Sequence, residues 1–324
     1  AEPAKAADEP TVAAATPAEA AQPAAPEEVT MTYWTWAEAN FPHFQGQADR
    51  WNQTVTGKPR IKFDGVLVPS SDEVIQKGMN AMAAGSGIPD IFLVETSQMS
   101  KFLKGTPPLA EQYLLDLVPK LDAYNAAWQD DYIGWAPYTW QGKVYGFEIG
   151  LCPCAYYYRQ DLFEEAGIEM PLKTWNDWWV AGEKMAASKH AMLAFDTTSL
   201  NGSFIPELYQ AGGALFDTAG NVTMDSPMAA KELEFNVQGV KSGIIWPTEA
   251  FWGAPHFAAL NDGSVAGVMS AIWYSSFVLK PNVKPEFKGK WRVQPVPAWS
   301  TSGTWGGADF DTRTTTTWGG TALS

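Results

Sequence analysis

Positive charge is scarce in this 324-residue sequence: 22 Lys and Arg stand against 36 Asp and Glu, a formal net charge of −14. A nucleic-acid binder needs a basic face to displace counterions from phosphates, so neither DNA nor RNA is expected as a partner. Long apolar runs are missing too. The longest, residues 265–279, is broken by serines and falls short of the ~18–20 residues needed to cross a bilayer. Of the three histidines, His43, His190 and His256, none opens an H-E-x-x-H or flanks a cysteine, and no metal site is expected. Two cysteines exclude a disulfide framework. Cys152-Pro153-Cys154 is too tight for an easy disulfide and lacks the redox C-x-x-C spacing, so both thiols are read as small packing groups. No G-x-S-x-G, G-x-x-x-x-G-K-S/T or G-x-G-x-x-G occurs, which removes the signatures of the commonest enzyme classes; no cofactor is expected.

Aromatic rings are abundant instead. Sixteen Trp, 16 Phe and 11 Tyr either fill a large core or line a binding surface. The ends of the chain differ in character. Residues 1–28 hold twelve Ala and five Pro, no aromatic, and seven charged residues of which only Lys5 is basic. Such a segment buries too little to offset its ordering entropy and reads as a disordered tether, with folding from Val29. No charged n-region and apolar h-region precede it, so the chain is either a mature form without its signal peptide or a cytosolic protein with a tail. A tether ahead of a folded body favours the first, at a membrane surface; a lipid anchor would need a cysteine before Ala1.

From Val29 strand and helix patterns alternate. Residues 29–36, 61–68 and 90–94 read as strands; between the last two, Ser71 is expected to cap a helix whose Val74, Ile75, Met79 and Met82 fall at helical spacing and which Gly85 ends. A hairpin over 138–148 turns at Gln141-Gly142. Strand 155–158 then leads to a helix over 161–166, and Thr174 with Asp177 makes a capping box for a helix through Trp178, Trp179 and Met185. Strands are expected at 191–195, 265–269 and 291–296, with a helix from Ser226-Pro227 to Gly243. There is no internal repeat. The rhythm implies two α/β units joined near 145–150, each a mainly parallel sheet flanked by helices.

Several stretches, taken in order, resemble the extracellular solute-binding proteins of ABC importers, in the sugar-binding branch that includes maltose-binding protein. They are Thr32-Tyr33-Trp34-Thr35-Trp36, Gly85-Ser86-Gly87-Ile88-Pro89-Asp90-Ile91, Lys143-Val144-Tyr145-Gly146-Phe147, the run from Tyr157-Tyr158-Arg159-Gln160-Asp161-Leu162 to Gly167, Lys173-Thr174-Trp175-Asn176-Asp177 and Trp318-Gly319-Gly320-Thr321. The resemblance spans residues 29–324 and implies a two-lobed fold with a hinge: a first lobe over 29–146, a second over 147–318, and the start of a return crossing at 319–324. It departs from the family at Glu148, where proline is typical, and over residues 149–154. Family members continue well past the last strand, so the chain is expected to be a C-terminally truncated piece with an incomplete first lobe.

The resemblance implies a carbohydrate held between the lobes and delivered to a membrane permease, by a monomer outside the cytoplasm and without catalysis. A sugar needs flat rings to stack on its C–H faces and acceptors for its hydroxyls. Ligands of α/β sheets sit at the carboxyl ends of strands. That rule points to Trp36 and Glu38, to Glu95, and to Asp196 with Asn201. The resemblance adds Trp273 as a stacking platform, puts Glu38 and Glu95 at hydroxyl-accepting positions, and brings in Trp252, Glu148 and Gly320 by their nearness to the crossings. Trp34 and Trp36 alternate on one strand and could both be core, Glu95 could instead cap the next helix, and Trp175, Trp178 and Trp179 read as packing. Three rivals stand beside this reading. Tyr156-Tyr157-Tyr158 resembles the tyrosines of ferric-ion binding proteins, Glu38 and Glu95 could be the paired carboxylates of a glycoside hydrolase, and a surface lectin would bind sugar without a hinge.

Overall fold

A computed structural model describes residues 27–324, so nearly all of the expected tether lies outside the described residues; Glu28 already opens the first strand. The first lobe begins with β1 (Glu28–Thr35), α1 (Asn40–Thr54), β2 (Arg60–Leu67), α2 (Ser71–Ala84) and β3 (Ile91–Glu95). The cap of α2 is Ser70 and not Ser71. Ser70 is extended (φ −149°, ψ 164°), and its hydroxyl accepts from the Glu73 N–H at 3.2 Å. Gly85 then ends the helix in the left-handed conformation at φ 64°. Short helices α3 (Leu109–Tyr113), α4 (Val118–Tyr124) and α5 (Trp128–Asp131) lead into the hairpin β4 (Thr139–Trp140) and β5 (Lys143–Val144). Its turn places both Gln141 (φ 50°) and Gly142 (φ 79°) in the left-handed region, as a tight two-residue hairpin requires.

The chain continues with β6 (Phe147–Gly150), β7 (Cys154–Arg159), α6 (Gln160–Glu165), α7 (Trp175–Ala187), β8 (Leu193–Asp196) and α8 (Phe204–Ala211). After these come α9 (Pro227–Ser242), β9 (Ile245–Thr248), α10 (Ala254–Asp262), β10 (Gly267–Ala271), α11 (Lys280–Asn282), β11 (Trp291–Gln294) and β12 (Thr321–Leu323). The capping box on α7 is present in both directions, Thr174 with Asp177, because it needs only residues three apart. Ser226 caps α9 by accepting from Ala229 N–H, and Gly243 closes it at φ 76°.

Each lobe is built on strands running mostly one way, with a single reversed member. The first sheet has the order β2-β1-β3-β12-β6; β1 is parallel to β2 and β3, while β12 runs antiparallel to both β3 and β6. In the second lobe β7 is antiparallel to β10 and β11, β8 is parallel to β9, and a parallel bridge from Ala191 to Val265 ties β8 to β10. The reversed strands, β12 and β7, each follow a crossing between lobes. The crossings themselves pair: Leu323 with Phe147, Ala322 with Glu148 and Thr321 with Gly150, continued by Trp318 N–H to Cys152 O (3.1 Å) and Cys154 N–H to Thr316 O (2.8 Å). β6 hydrogen-bonds within the first sheet through β12, and residues 151–153 connect it to β7.

Three principal cores follow. Trp34, Ile75, Met82, Phe92, Phe102, Tyr138 and Ala322 pack in the first lobe. In the second, Tyr156, Trp175, Trp178, Phe235, Trp299 and Trp305 pack on one face of β7, and Tyr157, Leu260, Val268 and Tyr274 on the other. Adjacent strand residues point to opposite faces, which separates Tyr156 from Tyr157. Their hydroxyls donate to carbonyls, Tyr156 to Met192 O (2.7 Å) and Tyr157 to Ala271 O (3.2 Å), so the tyrosine run does not converge on a ferric ion.

Candidate functional site

The paired crossings bring a carboxyl, a hydroxyl and a bare backbone together. Gly320 has φ +130°, and a Cβ there would lie 2.7 Å from Thr96 Oγ1 and 3.0 Å from Glu148 Oε1. Only glycine leaves room for both. The Gly320 carbonyl accepts from Thr96 N–H (2.9 Å) and Thr96 Oγ1–H (3.0 Å), and Thr96 Oγ1 is hydrogen-bonded to Tyr138 Oη at 2.9 Å. Glu148 stands over Gly134, where a Cβ would overlap its Oε2. A cavity of about 260 Å³ opens beside it, lined by Tyr132, Gly134, Trp135, Phe147, Glu148 and Leu151.

Both carboxyls near the crossing are pushed above the ordinary carboxylate range. Burial does this to Glu148. For Glu95 burial comes first, the Ser71 hydroxyl opposes it, and the charge of Asp72 adds to it. Neither takes part in an ion pair among the described residues. A carboxylate without a cation partner retains capacity to accept hydrogen bonds from hydroxyl groups.

Facing them is a wall of indoles from the second lobe. Trp273 follows β10, Trp252 lies in the loop before α10, and Trp318 is on the return crossing. Their ring centroids are 5.3 Å (Trp273–Trp318), 5.7 Å (Trp252–Trp318) and 5.8 Å (Trp252–Trp273) apart. Trp252 remains 52% exposed, and a Cβ on Gly202 would come within 2.9 Å of the Trp318 ring. Cys152 joins the two halves. Its thiol is pushed up to about 11 by burial, then by the charges of Glu148 and Glu95, with the Trp273 indole opposing. Its thiol is thus close enough to sense Glu95, Glu148 and Trp273 alike. At that height it is protonated and poorly nucleophilic.

Of the residues expected from sequence, Glu95, Glu148, Gly320, Trp252 and Trp273 gather at this crossing. The others do not. Trp36 packs against the first-lobe core, and Trp34 is buried under the Lys77 ammonium, 4.1 Å from the ring centre. Glu38 is exposed at the turn into α1. Asp196 is buried, and its Oδ1 accepts from Thr198 N–H (2.9 Å) and Oγ1–H (2.7 Å), which closes its own loop. Asn201 lies on the short turn Leu200–Gly202. Glu95 occupies the cap position of the turn Thr96–Lys101 but makes no side-chain capping bond. Sequence reasoning missed Trp318, Thr96, Tyr138 and Cys152. Trp318 carried a signal, a tryptophan directly before the paired glycines of a crossing strand; the other three become neighbours only through tertiary pairing.

The family model for bacterial extracellular solute-binding proteins matches residues 13–319. The arabinooligosaccharide-binding protein of Bacillus subtilis (strain 168) is 26% identical over 280 residues, 85% of this chain and 62% of that protein. The protein of the same name from Halalkalibacterium halodurans is 28% identical over 282 residues, 84% of this chain and 60% of that one. The chain thus spans about three fifths of the length of these relatives. Among solved structures, the GacH receptor of Streptomyces glaucescens, crystallised unliganded and with acarbose, shares the fold at TM-score 0.69 and 23% identity, covering 92% of this chain and 71% of that one.

Proposed function

Since the chain belongs to the family of bacterial extracellular solute-binding proteins, we propose that it is the carbohydrate-binding component of an ABC importer, capturing an oligosaccharide between its lobes and presenting it to a membrane permease. The observation that carries this reading is the indole wall of Trp252, Trp273 and Trp318 set across the crossing from the uncompensated carboxyls Glu95 and Glu148. Rings stack on the C–H faces of a sugar, and the carboxyls take its hydroxyl hydrogens.

Two paired strands joining the lobes form a hinge. A ligand touching both lobes stabilises the closed state, and that population shift is what a permease reads. Micromolar affinity, about 8 kcal/mol, is enough, because the sugar must be released again. The protein is a binder and not a hydrolase: its function requires no bond to break. It acts outside the cytoplasm as a monomer; no described helix is long and apolar enough to cross a bilayer. The names of the two relatives point to arabino-oligosaccharides as the first ligands to try. Isothermal calorimetry against arabino-, malto- and galacto-oligosaccharides is expected to give micromolar binding to at least one; silence across the panel overturns the sugar assignment.

A further inference from the structure

Trp252 and Trp273 are held by different segments, a loop before α10 and a turn after β10, and no hydrogen bond joins the two rings. Trp318 packs against both from the return crossing, and a second constraint on their spacing comes from behind. The residue behind both is His256, on the first turn of α10 and fully buried. Its ring lies face to face with Phe251, the neighbour of Trp252, with centroids 4.6 Å apart and planes at 18°. Its Nε2 is hydrogen-bonded at 2.7 Å to the hydroxyl of Tyr274, the neighbour of Trp273. Tyr274 is itself buried and leans on Tyr157, whose hydroxyl donates to the carbonyls of Ala271 and Ile272 just before Trp273. One imidazole therefore touches the backbone neighbours of both indoles, through its face on one side and its edge on the other.

We propose that His256 is the positioning residue of the indole wall, fixing the separation of Trp252 and Trp273 before any ligand arrives. The proposal rests on the reading of that wall as the ligand face, and its first readout needs no ligand. An ordinary core residue in this place would be apolar. The structure keeps instead a buried imidazole whose Nδ1 has no partner, and leaving a buried polar atom unpaired costs stability that a phenyl ring would not forfeit. What the imidazole adds over a phenyl is the Tyr274 bond. Pre-set geometry of this kind improves affinity by removing the ordering cost from the binding step.

The test compares Tyr274→Phe, which deletes only the hydroxyl, with His256→Phe, which keeps the stacking ring, and His256→Gln, which keeps a hydrogen-bonding group for Tyr274. The readout is the near-ultraviolet circular dichroism of the coupled indoles in the unliganded protein, defined as the part lost in Trp252→Phe. Tyr274→Phe and His256→Phe are each expected to remove about half or more of it, the double variant no more than either alone, and His256→Gln to retain most of it. Binding of linear arabinotriose is expected to weaken about tenfold in the first two variants. An unchanged indole signal in Tyr274→Phe overturns the proposal, whatever becomes of the melting temperature. If His256→Phe does not fold, Tyr274→Phe alone decides. Failure of the parent protein to bind arabinotriose counts against the choice of sugar and leaves the spectroscopic result standing.

Discussion

The two sides of the crossing solve opposite problems. On the first-lobe side stand the carboxyls of Glu95 and Glu148, both pushed up by burial and without an ion-pair partner among the described residues, over a Thr96–Tyr138 hydroxyl pair that is satisfied within the fold. On the second-lobe side, Trp252, Trp273 and Trp318 present ring surface, braced from behind by buried aromatic residues. Ring faces need only stay in place, which packing ensures. Acceptors must stay unsatisfied until a ligand comes, and for that the fold has to leave room, as it does at Gly134 and Gly320. On the proposed reading, the difference gives affinity chiefly to the second lobe and orientation to the first.

Four substitutions or titrations sharpen or break that division. The largest effect is expected from Trp273→Ala, which removes the central ring: about a 100-fold loss of oligosaccharide affinity by calorimetry, in line with the ~2–4 kcal/mol of aromatic hot spots. An equal loss from Trp175→Phe, deep in the second-lobe core, would show the effect to be general destabilisation. Next, Glu148→Gln keeps the shape but exchanges a charged acceptor for a neutral one, and about a tenfold loss is expected. If that loss matched the loss at Trp273, the division between lobes would fail. Third, the raised carboxyls of Glu95 and Glu148 protonate at a higher pH than ordinary carboxylates, so affinity is expected to fall on mild acidification. Glu148→Gln combined with Glu95→Gln should flatten that profile.

The smallest effect concerns stability in the second lobe. Glu207 and Glu232 are buried between α8 and α9; the Asn236 side chain donates to Glu207 Oε2 at 2.7 Å, while both Glu232 oxygens lack partners. Burial pushes Glu207 up to about 7, and burial together with the Glu207 charge holds Glu232 well above its ordinary range. The folded state therefore retains protons that the unfolded chain releases from about 4.5 upward, so stability is highest below that value and is lost as pH rises through about 7. Buried His256, pushed down to about 4, acts with opposite sign and costs stability as pH falls below its ordinary 6.5. Glu232→Gln is expected to raise the melting temperature at pH 8 by a few degrees and to leave the loss from buried Glu207 through about pH 7 in the melting series. A lower melting temperature at pH 8 would show that the carboxylate is satisfied in the fold.

Legibility in the sequence followed the range of each interaction. The capping box at Thr174 and Asp177, the Pro227 helix start, and the helix ends at Gly85 and Gly243 are local features, and all stand where the pattern puts them. The cap of α2 was missed by one residue, because two adjacent serines offer the same hydroxyl and only the backbone angle selects Ser70. Of the residues that the strand-end rule chooses, Glu95 lies beside the crossing, while Trp36 packs against the first-lobe core, Glu38 is on an exposed turn and Asp196 is in a self-closed loop. Trp318 and Thr96 were overlooked because their neighbours are set by tertiary contacts, Thr96 with Gly320 across 224 residues and Trp318 with Trp252 and Trp273.

The sequence by itself determined the α/β alternation, the family and the surplus of tryptophan. Periodicity and ordered motifs are properties of neighbouring residues, and composition is a property of the chain. Only the tertiary structure decided which tryptophans are core and which form a wall. Trp178 and Trp273 are chemically identical, but Trp178 is enclosed in the second-lobe core while Trp273, beyond the end of β10, stays partly exposed. It also decided that Glu148, Thr96 and Gly320 meet, because antiparallel pairing of two crossings, set by distant strands, is what carries them to one place.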